Sequence, residues 1–212
     1  MSATTRAASL VLVHGGGSGP WIFDDWPSSF PGVRVSAVDL QAGLDVATAS
    51  MSDYAQRVIE AAHALPAPVS VCGWSMGGLV VLHAADRIRP HSVIVIEPSP
   101  PGEIQGFDPN VEPSAGTVDP QAVYGIFPAG VPTRLESAFA RAERKRGIAV
   151  PRVPCRSLVV YGDEFPEERG VRVARLYGSE ERFFPGLDHW SLVRDPRVRD
   201  AIAEFVGVSP RH

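Results

Sequence analysis

The residues best placed to do covalent chemistry in this chain are one serine and one histidine. Ser75 stands in GWSMGG, residues 73–78, between the apolar run PVSVC and the segment LVVLHAA. A G-x-S-x-G pattern at a strand-to-helix junction fits a strained turn that lifts the serine hydroxyl clear of the strand end, with glycines where backbones pass close. Alternatively, the glycines relieve crowding and the serine is incidental. The helix start behind Ser75 supplies partial positive charge where negative charge would develop. His189, in FPGLDHWSLVRDP, follows the last weak strand, a position from which an imidazole can reach a serine at the carboxyl edge of a sheet. HGGGSG, residues 14–19, can bring backbone N–H groups onto a reacting oxygen. It could also cradle a phosphate, but no Lys-Ser or Lys-Thr follows and it does not match G-x-G-x-x-G. His63, His83, His91 and His212 read as surface or packing residues.

Such groups need a scaffold, and the sequence describes one. Valine- and isoleucine-rich runs recur at SLVLV (9–13), VRVSAV (33–38), VSVCG (69–73), SVIVI (92–96), SLVVYG (157–162) and, more weakly, RFFPG (182–186). Near-continuous apolar runs imply strands covered on both faces, hence a parallel sheet flanked by helices and an α/β fold. SMSDYAQRVIEAAHAL carries a helical stripe (Tyr54, Val58, Ile59, Ala62, Leu65) behind a serine start signal, closed by Pro66. A second helix is expected over Thr133–Arg146, with TRLE as a capping box, a stripe of Leu135, Ala138, Phe139 and Ala142, and Gly147 as the stop. RVRDAIAEFV, with Val198, Ala201, Ile202 and Phe205 inward, is the last.

Residues 99–154 break this rhythm. The segment is dense in proline and glycine and is expected to form a small cap between the fourth and fifth strands, without strand patterning and with few buried contacts to the rest.

With 212 residues, 44% of them hydrophobic, the chain can bury one sizeable core and is expected to be one domain, residues 1–212. A net charge of −4 gives no electrostatic case for a nucleic-acid or anionic-membrane partner. The basic cluster RAERKR, residues 141–146, is expected to be a solvated helix end complementing the macrodipole. Cys72 and Cys155 both lie in or beside apolar runs, which suits free thiols in a reducing compartment. No signal-peptide core or membrane-length run is present, so the expected location is the cytoplasm. A single lysine, Lys145, against many arginines suggests a GC-rich bacterial genome.

Taken together, VLVHGGGSGPW, GWSMGG, VVYGDE and PGLDHWSLVRDP resemble the oxyanion loop, nucleophile elbow, acid-bearing loop and histidine loop of the α/β-hydrolase family, in that family's order. The resemblance spans residues 9–206 and is least distinctive in the cap. It implies a trimmed six-stranded parallel sheet, ordered 2-1-3-4-5-6, with helices on both faces. It also implies a mechanism in which Ser75 attacks a carbonyl, His189 shuttles the proton, a carboxylate orients His189, and the N–H groups of Met76 and of Gly16 or Gly17 hold the oxyanion. The family's usual acid position holds Phe165. Asp163 and Glu164 are one or two residues early, and Glu97 ends the fourth strand, where some members carry their acid. The order of preference is Asp163, Glu97, Glu164; Asp188, beside the histidine, points along the same loop and is a poor candidate.

The pocket is expected to be aromatic, with Gly17, Trp21, Trp74 and Trp190 at the motifs and Phe107, Tyr124 and Phe127 in the cap. A small hydrophobic acyl substrate, held as a carboxylic ester, thioester or lactone, suits such a pocket. No cofactor or metal is implied, and the oligomeric state stays open. Lyase or cyclase chemistry on the same triad, or a ligand-binding role without catalysis, are the alternatives.

Overall fold

In a computed structural model of the chain, residues 7–125 and 127–208 are described. The central sheet has six strands, β1 (Ser9–Val13), β2 (Arg34–Val38), β3 (Val69–Trp74), β4 (Ser92–Ile96), β7 (Arg156–Tyr161) and β8 (Glu180–Phe183). They lie in the order β2-β1-β3-β4-β7-β8, all parallel. Numbered within this sheet alone, that is 2-1-3-4-5-6.

Alternation along each strand divides the core into two halves. Val11, Val13, Val71, Val93, Val95, Val159 and Tyr161 face α1 (Met51–His63), α2 (Met76–Ile88) and α6 (Arg172–Tyr177). Leu10, Leu12, Cys72, Ile94, Ile96, Leu158 and Val160 face α7 (His189–Arg194), α8 (Pro196–Phe205) and the 3₁₀ turns that carry Phe23 and Trp26. Each such aliphatic side chain contributes roughly 1.5–3 kcal/mol by leaving water. The outer strands differ: β8 is exposed along its whole length and β2 along part of it, because an edge strand has neighbours on one side only.

Helix α1 starts where its signal says. Ser50 Oγ accepts the Asp53 N–H while the Asp53 side chain accepts the Ser50 N–H, a reciprocal capping box. Helix α8 buries Val198, Ile202 and Phe205.

Between β4 and β7 the insertion forms α3 (Gly102–Gln105), α4 (Pro120–Tyr124), α5 (Ala138–Arg146) and a two-stranded antiparallel ribbon of β5 (Thr117–Val118) and β6 (Glu136–Ser137). Two expectations fail here. The helix expected over Thr133–Arg146 begins only at Ala138, with Ser137 Oγ capping Ala140 N–H. Glu136 is drawn into the ribbon instead of a capping box, and Leu135 is half exposed rather than core. The ribbon itself lacks any strand pattern in the sequence because its two residue pairs are too short to show one. Nor is the insertion loosely attached. Glu143 accepts the Met51 N–H at 2.7 Å, Arg134 N–H donates to the Gly17 carbonyl at 3.0 Å, and Phe127, Ala140 and Val150 are buried.

Candidate functional site

Ser75 terminates β3 and caps α2 with φ 57° and ψ −123°, outside the conformations that a serine adopts freely. The turn is held from both sides: Ser75 N–H donates to the Ile96 carbonyl at 3.0 Å, and the Ser75 carbonyl accepts from Gly78 at 3.0 Å and from Ser99 at 2.9 Å. Glycine is compulsory around it. A Cβ on Gly73 would lie 2.2 Å from the Gly77 carbonyl oxygen, and one on Gly77 would lie 2.3 Å from that of Val13. Met76 is the first residue of α2, so its N–H has no carbonyl partner one turn back in the helix.

His189 opens α7, whose cap is Asp188 accepting the Ser191 N–H at 2.7 Å. Asp188 is thereby occupied at the helix start. The imidazole is fixed from several directions. Its Nδ1 lies 2.7 Å from Glu97 Oε2, its backbone N–H donates to Glu164 Oε2 at 3.0 Å, and its carbonyl accepts from Trp74 Nε1 at 3.0 Å. The ring packs against Trp74 and meets the edge of Phe165.

Glu97 is fully buried one residue beyond β4, at φ 38°. Its second oxygen accepts the Gly162 N–H at 2.9 Å, and its own N–H donates to the Val160 carbonyl. The preference for Asp163 over Glu97 is thus reversed in the hydrogen bonding. Asp163 is exposed and its carboxylate accepts the Gly186 N–H at 2.7 Å, closing the loop instead of touching the histidine ring. The physical reason is that the residues after β7 are tied to the backbone of the histidine loop: Asp163 N–H donates to the Leu187 carbonyl at 2.9 Å, and Phe165, not a carboxylate, meets the imidazole ring. Glu164 holds the histidine backbone, not its ring.

The glycine-rich loop that follows β1 is braced from behind. His14 is 1% exposed; its Nδ1 lies 2.8 Å from the Gly15 carbonyl, while Nε2 receives the Leu40 N–H at 3.2 Å and Arg134 Nη2 at 2.8 Å. This pattern requires a neutral ring with the proton on Nδ1. Burial pulls its pKa down to about 4, with Arg134 acting in the same direction and the Gly15 hydrogen bond and Asp39 opposing. Gly16 lies directly under a carboxylate of the insertion, since a Cβ there would meet Glu136 Oε1 at 2.2 Å.

Ser75, Gly16 and His189 line a cavity of about 400 Å³, with Trp74, Phe127 and Trp190 on its walls. Tyr124 and Phe165 complete the aromatic lining. Three expected pocket residues stand elsewhere. Trp21 lines a larger depression of about 600 Å³ that contains neither Ser75 nor His189, and it carries Arg134 over its ring. Gly17 abuts Pro120 and Phe127, and Phe107 is exposed beside Gly102 and Gly147. Conversely, Arg144 and Arg169 line the cavity, and sequence reasoning missed both. Arg144 lies in the cluster expected to be solvated, yet it is ion-paired to buried Glu136 at 2.9 Å. Its only sequence signal is the eight-residue separation from that glutamate, which means nothing until the ribbon bends the chain back. His83 is half buried, His91 partly so and His63 exposed; none lines the cavity, and His212 lies outside the described residues. Among the described residues no helix is long and apolar enough to cross a membrane.

Comparison with known proteins extends this geometry. Over 79 residues the chain is 39% identical to a pimeloyl-[acyl-carrier protein] methyl ester esterase of Neisseria meningitidis serogroup B, covering 37% of this chain and 31% of that one. The match therefore spans about a third of the curated relative's length. Among solved structures, the type II thioesterase BorB of the borrelidin biosynthetic cluster superposes with a TM-score of 0.66 at 16% identity, covering 96% of this chain and 92% of that one. Polyneuridine aldehyde esterase does so with a TM-score of 0.66 at 19% identity, covering 95% and 98%. These likenesses are likenesses of fold. With the alpha/beta hydrolase family model matched across residues 10–201, the chain belongs to that family.

Proposed function

We propose that the protein is a serine hydrolase that cleaves a carboxylic ester, thioester or lactone of a small acyl substrate, with Ser75 as nucleophile, His189 as general base and acid, and Glu97 as the acid partner. The observation that carries this reading is the 2.7 Å contact between Glu97 Oε2 and His189 Nδ1, behind a cavity wall that His189 shares with the strained Ser75.

In the first half-reaction His189 Nε2 takes the proton of Ser75 Oγ as the oxygen bonds to the substrate carbonyl carbon. The oxygen that becomes negative is held by the N–H groups of Met76 and Gly16, each such donor supporting catalysis by about 3 kcal/mol. Glu97 stays ionised, keeps the imidazole in the tautomer with its proton on Nδ1, and stabilises the imidazolium. Collapse breaks the bond to the leaving oxygen or sulfur, which takes the proton from His189. Water, deprotonated by His189, then cleaves the acyl-serine and restores the enzyme. The aromatic walls limit other water around the intermediate.

A fluorophosphonate probe tests the assignment. The wild-type protein is expected to label and Ser75→Ala is not, and p-nitrophenyl butyrate turnover by Ser75→Ala and His189→Ala should fall far below about a tenth of wild type. Labelling that persists in Ser75→Ala would remove Ser75 from the role.

A further inference from the structure

The cavity around Ser75 carries two guanidinium groups for which the hydrolysis of a neutral ester has no use. Arg144 reaches it from α5, and Arg169 from a π-helical turn, Pro166–Val171, that follows β7. Arg144 Nη2 bonds Glu136 Oε2 and the Tyr124 hydroxyl, both at 2.9 Å, but its Nε is buried with no partner among the described residues. Arg169 lies over the Phe165 ring at 4.0 Å, and its guanidinium makes no hydrogen bond or contact ion pair among the described residues.

Charged neighbours do not remove the need for a partner. Burial pulls Arg169 below the usual arginine range; Glu97, Glu168 and Glu164 oppose this from beyond contact distance, and Arg144 adds to it. Two of those carboxylates are already engaged, Glu97 with the His189 ring and Glu164 with the His189 N–H. Arg169 is only partly exposed, and a cation that has lost part of its water without gaining a contact partner is favoured by an anion; a second cation on the same cavity strengthens that preference, while Glu164 on the cavity wall opposes it in part. An anion that enters with the substrate supplies the missing partner.

We propose that the substrate carries, besides its scissile ester or thioester, an anionic carboxylate group that Arg169 and Arg144 bind, while its apolar part lies against Trp74, Phe127 and Trp190. This inference rests on the hydrolase reading and narrows its substrate class. The anion can sit on the acyl side of the scissile bond or on the leaving group.

Equilibrium binding to the Ser75→Ala protein tests it without turnover, because both arginines remain while the nucleophile is gone. Two matched pairs of probes locate the charge: monomethyl glutarate against methyl valerate for the acyl side, and 2-carboxyethyl butyrate against propyl butyrate for the leaving group. Charge-assisted contacts of this kind predict a preference of about tenfold for the charged member of one pair. Adding Arg169→Met should cut that preference at least threefold; Arg144→Met should act alike, but it strands Glu136, so Arg169→Met, which breaks no hydrogen bond, carries the decision. A preference below about fivefold in both pairs, or one that Arg169→Met leaves intact, overturns the proposal. Fluorophosphonate labelling of the wild type decides the hydrolase reading separately, so the two can fail independently.

Discussion

The ends of β4 and β7 are neighbours in one sheet, each carries a carboxylate, and the two carboxylates have opposite fates. Glu97 is fully buried, spends one oxygen on the His189 ring and the other on the Gly162 N–H, and sits at a positive φ. Asp163 is exposed and closes a turn through Gly186. A buried carboxylate shaped by two fixed donors is pre-organised for one partner, whereas an exposed one exchanges its bonds with water at little cost. Position in the chain motif is therefore a poorer guide to which carboxylate meets the histidine ring than desolvation with a complete set of donors.

The sharpest way to break this comparison is to neutralise each carboxylate in turn. Glu97→Gln is expected to lower kcat by about 10⁴, the scale seen when a triad acid becomes an amide, with the fold retained by circular dichroism. If Asp163→Asn produced the larger loss in ester hydrolysis, the ranking drawn from the hydrogen bonds would be wrong.

Two strands from β4, the end of β1 extends the lesson to a buried base. The folded pKa of His14 is about 4 against 6.5 for a free histidine, so the native state binds fewer protons than the unfolded chain between those values. Its contribution to stability is full above pH 6.5 and is lost as pH falls toward 4, on the order of 3 kcal/mol in total. Urea titrations across that window should show a steep fall for wild type and a flatter one for His14→Gln. Equal slopes would mean that His14 does not govern the acid limb.

Smaller effects sharpen the contrast within the β7 loop. Glu164→Ala removes the acceptor of the His189 N–H. A loss of about tenfold in kcat/KM is expected, because the histidine backbone loosens while the Glu97 contact survives. Asp163→Asn keeps an acceptor for Gly186, so steady-state rates should stay within about threefold and denaturant stability should change by less than about 1 kcal/mol. A loss above a hundredfold for Asp163→Asn would show that its loop orders the histidine after all.

Much of this was legible beforehand where a local rule decided the outcome. Apolar runs marked five of the six sheet strands, Ser50 and Asp53 marked the start of α1, and the glycines about Ser75 marked a turn in which a Cβ has no room; β8 instead forms over the exposed EERF and overlaps the expected RFFPG only at Arg182 and Phe183. The helix start at Ala138 was illegible because Glu136 satisfies a capping pattern on paper but pairs with Val118 and Arg144 in space. Arg144 and Arg169 were illegible for the same reason: an arginine in a charged run is a solvated residue until something removes its water.

The sequence by itself determined which groups this protein owns and the order in which they arrive: a serine at a strand-to-helix turn, a glycine-rich loop before it, a histidine after the last strand. Periodicity and backbone sterics are short-range, so residues a few positions apart are enough to specify them. Only the tertiary structure decided which carboxylate meets His189, where Trp21 goes, and that two cations stand in the same cavity as Ser75. Those outcomes depend on distances between residues up to about a hundred positions apart and on how much water each loses, and neither quantity is written in any local stretch of the chain.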